Sequence, residues 1–240
     1  MRHRTGQIIR PLGVIRDLHD SVHAVTDNFQ EGVPQASSDV GNDTSLLWIL
    51  AGTGATALTA ATHDPGGGID MLTGGTDNNG CIIFPHDDAE QSVLVQGFNS
   101  SNEPAFCATI ETGAAITTTL IHVGFKLTIA SLDETTDDDQ VMFTFDTDTT
   151  DTKWMCNYSY GGTDVELDSG HAVAVSTRYV LGIQVDSDRM PHFFINDKEV
   201  AVGTVAMTAS IALKPFVGVQ CLAGSARRIY CRRVSVARAY

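Results

Sequence analysis

The chain has 240 residues, 42% of them apolar and only 18% charged; that balance supports a buried core and excludes a disordered chain. No apolar run approaches the roughly 18 residues a membrane-spanning helix needs, and Leu46–Ala51 is only strand-sized. The net charge of −14 is unevenly placed: residues 1–16 hold four Arg and residues 227–240 hold five, with no acid in either, so all 29 acids lie between them against six bases. A body this acidic excludes general binding to nucleic acid or anionic membranes, whereas the two basic ends suit an acidic partner or the chain's own acidic body.

Near the start, Ile8, Ile9, Leu12, Ile15, Leu18, Val22 and Val25 recur at roughly helical intervals, interrupted by Pro11 and Gly13. This pattern predicts a basic arm over residues 1–33 with a short helix near 14–28. Residues 34–80 are rich in Gly, Thr, Ala and Asp, and Gly66–Gly68, Gly74–Gly75 and Asn78–Gly80 mark turns between short strands. From residue 80 the period is two. Ile121, Val123, Phe125, Leu127 and Ile129 alternate with His122, Gly124, Lys126 and Thr128, which predicts a strand with one face in the core. The same alternation recurs at Val141, Phe143 and Phe145, at Trp154, Cys156, Tyr158 and Tyr160, and at Tyr179, Leu181, Ile183 and Val185. Phe193–Val200 reads as a hairpin turning at Asn196–Asp197, and a last strand is expected over about 227–237. About a dozen turn-bounded strands predict an all-β, antiparallel two-sheet jelly-roll sandwich over residues 34–240.

Few segments suggest chemistry. The five cysteines, at 81, 107, 156, 221 and 231, have no C-x-x-C spacing, so they read as free buried thiols rather than zinc ligands. The N-terminal residues lack the apolar core of a signal peptide, so synthesis in a reducing cytosol is expected. Asp164, Glu166 and Asp168 alternate on one strand face, as catalytic carboxylates of some glycosidases do. Gly161–Gly162 and Ser169–Gly170 are expected to close that segment into a short hairpin, and no aromatic is interleaved to stack a sugar. The acidic loops 133–139 and 146–151 could attract calcium, but neither has the pattern of an EF-hand. His19 and His23 are four apart without an obvious third ligand, and His122 points off the core face of its strand. No nucleophile elbow, phosphate loop or dinucleotide fingerprint is present.

The stretch from about 65 to 238 resembles virion structural proteins of tailed bacteriophages that carry a concanavalin A-like, laminin-G-like jelly roll. The resemblance is carried by Gly67–Asn79, by the strand Leu120–Ile129 with its Asp-rich loop, and by Tyr179–Val185 with the Phe193–Val200 hairpin. It implies a non-enzymatic capsid decoration (cement) protein on the virion surface, made in the host cytoplasm. Its implied partners are the major capsid protein and further copies of itself in a homotrimer; direct nucleic-acid or membrane binding and a cofactor are not expected, calcium at a loop rim being the one ligand left open. The expected contact residues are Arg2, Arg4, Arg10, Arg16, Arg227, Arg228, Arg232 and Arg233, although pairing within the chain would also suit the last four. Two other functions fit the same pattern. One is a tail, fibre or baseplate lectin recognising host glycan. The other is a glycosidase using Glu166 with Asp164 or Asp168.

Overall fold

A computed structural model describes residues 22–29, 35–36, 48–52, 61–85, 98–127 and 137–239. The described strands are, in chain order, β1 (Val22–Asp27), β2 (Gln35–Ala36), β3 (Trp48–Ala51), β4 (Ala61–His63), β5 (Ile69–Leu72) and β6 (Gly80–Pro85). β7 (Phe98–Asn99), β8 (Ala105–Thr112), β9 (Thr119–Lys126), β10 (Gln140–Asp146), β11 (Lys153–Tyr160) and β12 (Thr163–Ala172) follow. β13 (Arg178–Val185), β14 (Pro191–Ile195), β15 (Lys198–Val202), β16 (Ala212–Cys221) and β17 (Arg228–Ala239) complete the chain. No helix occurs among the described residues.

The strands form two sheets. The first runs β15-β14-β13-β8-β17-β5-β4, with β1 also paired to β17. The second runs β12-β11-β10-β9-β16-β6-β3-β2, with β7 on β16. All pairs are antiparallel except β2 with β3. This is the jelly-roll sandwich expected from the alternation. Ile121, Val123, Phe125, Val141, Phe143, Trp154, Cys156, Leu181 and Val185 are fully buried in one core between the sheets. Burying such side chains contributes about 1.5–3 kcal/mol each before the ordering entropy is subtracted. The predicted turns also form. Gly161 and Gly162 (φ 54° and 79°) join β11 to β12, and Asn196 and Asp197 (φ 52° and 66°) join β14 to β15. Positive φ at both central residues suits the right-handed twist of a two-residue hairpin.

The expected helix near 14–28 is not formed over its described part. Residues 22–27 are strand β1, paired along β17 from Val22↔Ala239 to Asp27↔Val234, while residues 14–21 lie outside the described residues. The spacing of Val22 and Val25 fits a helix, but the β-branched Val22, Val25 and Thr26 fit a strand as well. The open edge of β17 decides, since it offers ladder partners to the backbone groups of the segment that face it. Thr26 Oγ1 donates to Ser235 Oγ at 3.0 Å, and Phe29 is buried against Trp48 with ring centroids 6.4 Å apart. Residues 22–29 therefore belong to the sandwich.

A second difference concerns residues 163–172. Ser169 and Gly170 do not close a short hairpin; β12 continues through them to Ala172. The register slips between Met155↔Asp168 and Lys153↔Ala172, and Gly170 takes φ 71° in this bulge.

Candidate functional site

Both faces of the second sheet are covered at its centre. All eight residues of β9 are buried, including His122 (1% exposed) and Lys126 (0%). Alternation alone made these even positions a solvated face. Away from the main core, Ile49, Ile82, Phe84, Met142 and Phe216 instead form a separate apolar cluster on β3, β6, β10 and β16. Lys126 marks its border, with Nζ 5.8 Å from the centre of the Phe216 ring.

Beyond that border the same face turns polar. A cleft of about 340 Å³ opens over β9–β12, floored by Leu120, His122, Gln140 and Asn157. Strand pairing builds this floor from residues far apart in sequence. Gln140 sits opposite Lys126 on one side and Ser159 on the other, and Ser159 faces Asp164. In the next row Met142 pairs with Asn157, which pairs with Glu166. Asn157 Nδ2 donates to Thr144 Oγ1 at 2.6 Å, fixing the amide with its carbonyl oxygen left to accept. Between Asn157 and Ser159, the Tyr158 side chain turns the other way, into the main core. Its hydroxyl accepts the Thr204 and Val205 backbone N–H groups at 2.9 and 3.1 Å.

Three carboxylates edge the cleft. Ser159 Oγ donates to Asp164 Oδ1 at 2.5 Å, and Glu166 is exposed beside Asn157. Asp146, at the end of β10, accepts the Asp148 backbone N–H at 2.8 Å. Burial, reinforced by the charges of Asp148 and Asp151, holds the Asp146 carboxyl above its usual range despite that bond. Asp168, the third acid of the β12 row, is drawn outward by Lys153 at 2.6 Å. That hydrogen bond and the Gly170 N–H lower its pKa.

The basic residues singled out from the sequence do not converge here. Arg2, Arg4, Arg10 and Arg16 lie outside the described residues. Arg227 is buried and donates to the Thr117 carbonyl at 2.5 Å and to Thr118 Oγ1. Arg228 pairs with Asp70 at 3.0 Å. Arg232 pairs with Asp64 and with Glu111, the latter at 2.9 Å, and lies over the Tyr230 ring at 4.9 Å. Arg233 is half-buried and hydrogen-bonds near Cys107. The first three thus have partners within the chain, the arrangement the sequence left open beside intersubunit contact.

This network makes an acid-stability prediction. The Arg232 hydrogen bond lowers Asp64, outweighing burial. Burial raises Glu111, but hydrogen bonds from Arg232 and Arg178 outweigh it, so Glu111 is lowered too. Depressed carboxylates add stability that is fully present above the usual values of 3.8 and 4.5 and is lost as the pH falls through the lower folded values. Arg232→Gln is expected to flatten the loss of stability between about pH 5 and pH 3. Urea midpoints across that range test it, and parallel curves for the two proteins would refute it.

Among the described residues, no group of three or more His, Cys, Asp or Glu could share a metal ion. All five cysteines are free and buried. Burial pushes the Cys107 thiol up to about 11, and Cys81, Cys156 and Cys231 higher still. These thiols stay protonated and unreactive at neutral pH.

No family of proteins and no curated protein matches this chain by sequence. Its fold does match solved structures. A protein of unknown function from Shewanella oneidensis MR-1 superposes with a TM-score of 0.64 at 15% identity, covering 91% of this chain and 87% of that one. The Emp47p carbohydrate recognition domain gives 0.59 at 10% identity, covering 93% and 99%. A β-glucanase from Bacillus licheniformis gives 0.57 at 10% identity, covering 89% and 97%. The chain therefore has the concanavalin A-like jelly-roll architecture shared by lectin domains and glycan-cleaving enzymes. At 10–15% identity these likenesses support the jelly-roll fold of the resemblance to phage proteins and do not bear on a virion role.

Proposed function

We propose that this chain is a carbohydrate-binding module whose ligand lies in the cleft over β9–β12. One observation carries the reading: buried His122 and Gln140, with Asn157 beside them, form a polar floor on the outer face of a sheet. Planar amides and an imidazole suit the paired hydroxyls of a sugar, and polar groups that fix orientation are what a small-molecule site needs. The likeness to the Emp47p domain and the glucanase supports the same direction as fold analogy only.

Binding without turnover is the preferred form. Asp164 and Asp168 are tied to Ser159 and Lys153, and the lowered pKa of Asp168 is the reverse of what a general acid requires. The capsid-decoration expectation is the weaker one, because Arg227, Arg228 and Arg232 are engaged within the chain. A glycan array followed by calorimetry on the best ligand tests the proposal. Asn157→Ala is expected to weaken binding about tenfold or more, the equivalent of one well-placed hydrogen bond lost, with the melting temperature nearly unchanged. Absence of binding to every glycan, or full affinity in the variant, would overturn it.

A further inference from the structure

The cleft is electrostatically one-sided. Asp146, Asp164 and Glu166 are among its lining residues, and no Lys or Arg is among the described ones. Among the described residues, the lysines of β9 and β11 already have contacts within the chain. Lys153 is bonded to Asp168, and Lys126 lies fully buried over Phe216 at the apolar border. The exposed carboxylates of Asp164 and Glu166 stand at the mouth, over polar side chains that are almost fully removed from water, His122 at 1% and Gln140 at 2% exposure. The loop that carries Asp146 adds Asp148 and Asp151 behind the rim. The chain as a whole, at −14, reinforces the same sign.

Resting on the glycan-binding reading above, we propose that the cleft selects saccharides bearing protonated amines, deacetylated amino sugars, over N-acetylated and uronate-containing ones. A ligand ammonium would sit between Glu166 and Asp164, with the sugar hydroxyls on Asn157, Gln140 and His122. A uronate or sulfated sugar would bring like charge against three carboxylates, with no Lys or Arg among the described lining residues to receive it.

The test is calorimetry of the full chain with three tetrasaccharides: glucosamine, N-acetylglucosamine and galacturonate. The measurement is made at a pH where the glucosamine amine is protonated. The glucosamine oligomer is expected to bind about tenfold or more tighter than its acetylated counterpart, and the galacturonate not at all. The preference should shrink severalfold as salt rises from about 20 mM to about 0.5 M. Asp164→Asn with Glu166→Gln should erase the preference, whereas Asn157→Ala should weaken both amino-sugar ligands alike. Equal or tighter binding of the acetylated or uronate oligomer, still dependent on Asn157, would overturn the charge selection and leave the cleft reading standing. Glucosamine binding indifferent to Asn157 would place it on the acidic body at large and overturn the proposal. No binding by any oligomer would remove the cleft reading together with it.

Discussion

Replacing Trp154 by alanine is expected to lower the unfolding free energy by about 3–5 kcal/mol, the range for deleting a large aromatic from a core. Trp154 is fully buried and meets Phe143, Phe145 and Tyr179 nearly edge-on, with centroids 6.5, 6.2 and 5.5 Å apart. Phe143 in turn meets Phe193 at 5.4 Å. Tyr179 and Phe193 belong to the first sheet, Phe143 and Trp154 to the second. This aromatic group is therefore a joint between the sheets, and its removal opens a cavity that two hydrogen-bonded sheets cannot readily collapse to fill. The indole N–H has no hydrogen-bond partner among the described residues, so the loss comes from packing. Trp154→Phe should accordingly cost much less, about 1–2 kcal/mol, because it keeps half the contact and removes a buried polar atom that nothing satisfies. Urea denaturation followed by far-ultraviolet dichroism measures both. A loss below about 1 kcal/mol for the alanine variant would show that the sheets do not depend on this joint.

The core was legible because β-sheets write their buried face at every second residue. Val141, Phe143 and Phe145, and Trp154, Cys156 and Tyr158, could be placed in the core before any coordinates. The turns at Gly161–Gly162 and Asn196–Asp197 were legible because few residues tolerate positive φ. β1 was not. A short segment of mixed period takes its form from whatever edge receives it, and the receiving edge lies more than 200 residues away, at Val234–Ala239. The cleft was readable only in part. The sequence shows Asp164, Glu166 and Asp168 as one row and His122 as off the core face. It does not show that Asn157 lies between Glu166 and Met142, because that follows from the register of three strands. Nor does it show that the far face of β9 is buried. The available signal was weak: Phe84, Met142 and Phe216 are apolar where alternation calls for polar residues.

Gly124→Ala is the second large effect, and it connects the sheet to the site. Gly124 has φ 155°, and a Cβ built there would fall 2.4 Å from the Val141 carbonyl oxygen, 2.6 Å from Met142 Cα and 2.8 Å from Ile183 Cδ1. Two of those atoms are backbone of β10, so β9 and β10 must separate or Gly124 must change its dihedral angles. The combined strain and overpacking should cost roughly 2–5 kcal/mol. Gly67→Ala provides the control. Gly67 also has positive φ, 88°, but its added Cβ would meet nothing within 4 Å, so the backbone cost alone remains, about 1 kcal/mol. The difference between the two variants isolates the collision. Gly124 pairs with Met142, whose other neighbour is Asn157, and its own strand carries His122. Forcing β9 from β10 therefore displaces His122 from Asn157 across the cleft floor. Folded Gly124→Ala protein should bind glycan at least about tenfold more weakly, since a shift of about an ångström is enough to lose preorganised contacts. Gly67→Ala should bind normally. Should Gly124→Ala unfold at the same urea concentration as Gly67→Ala, the close approach of β9 to β10 would not be the constraint that shapes the floor.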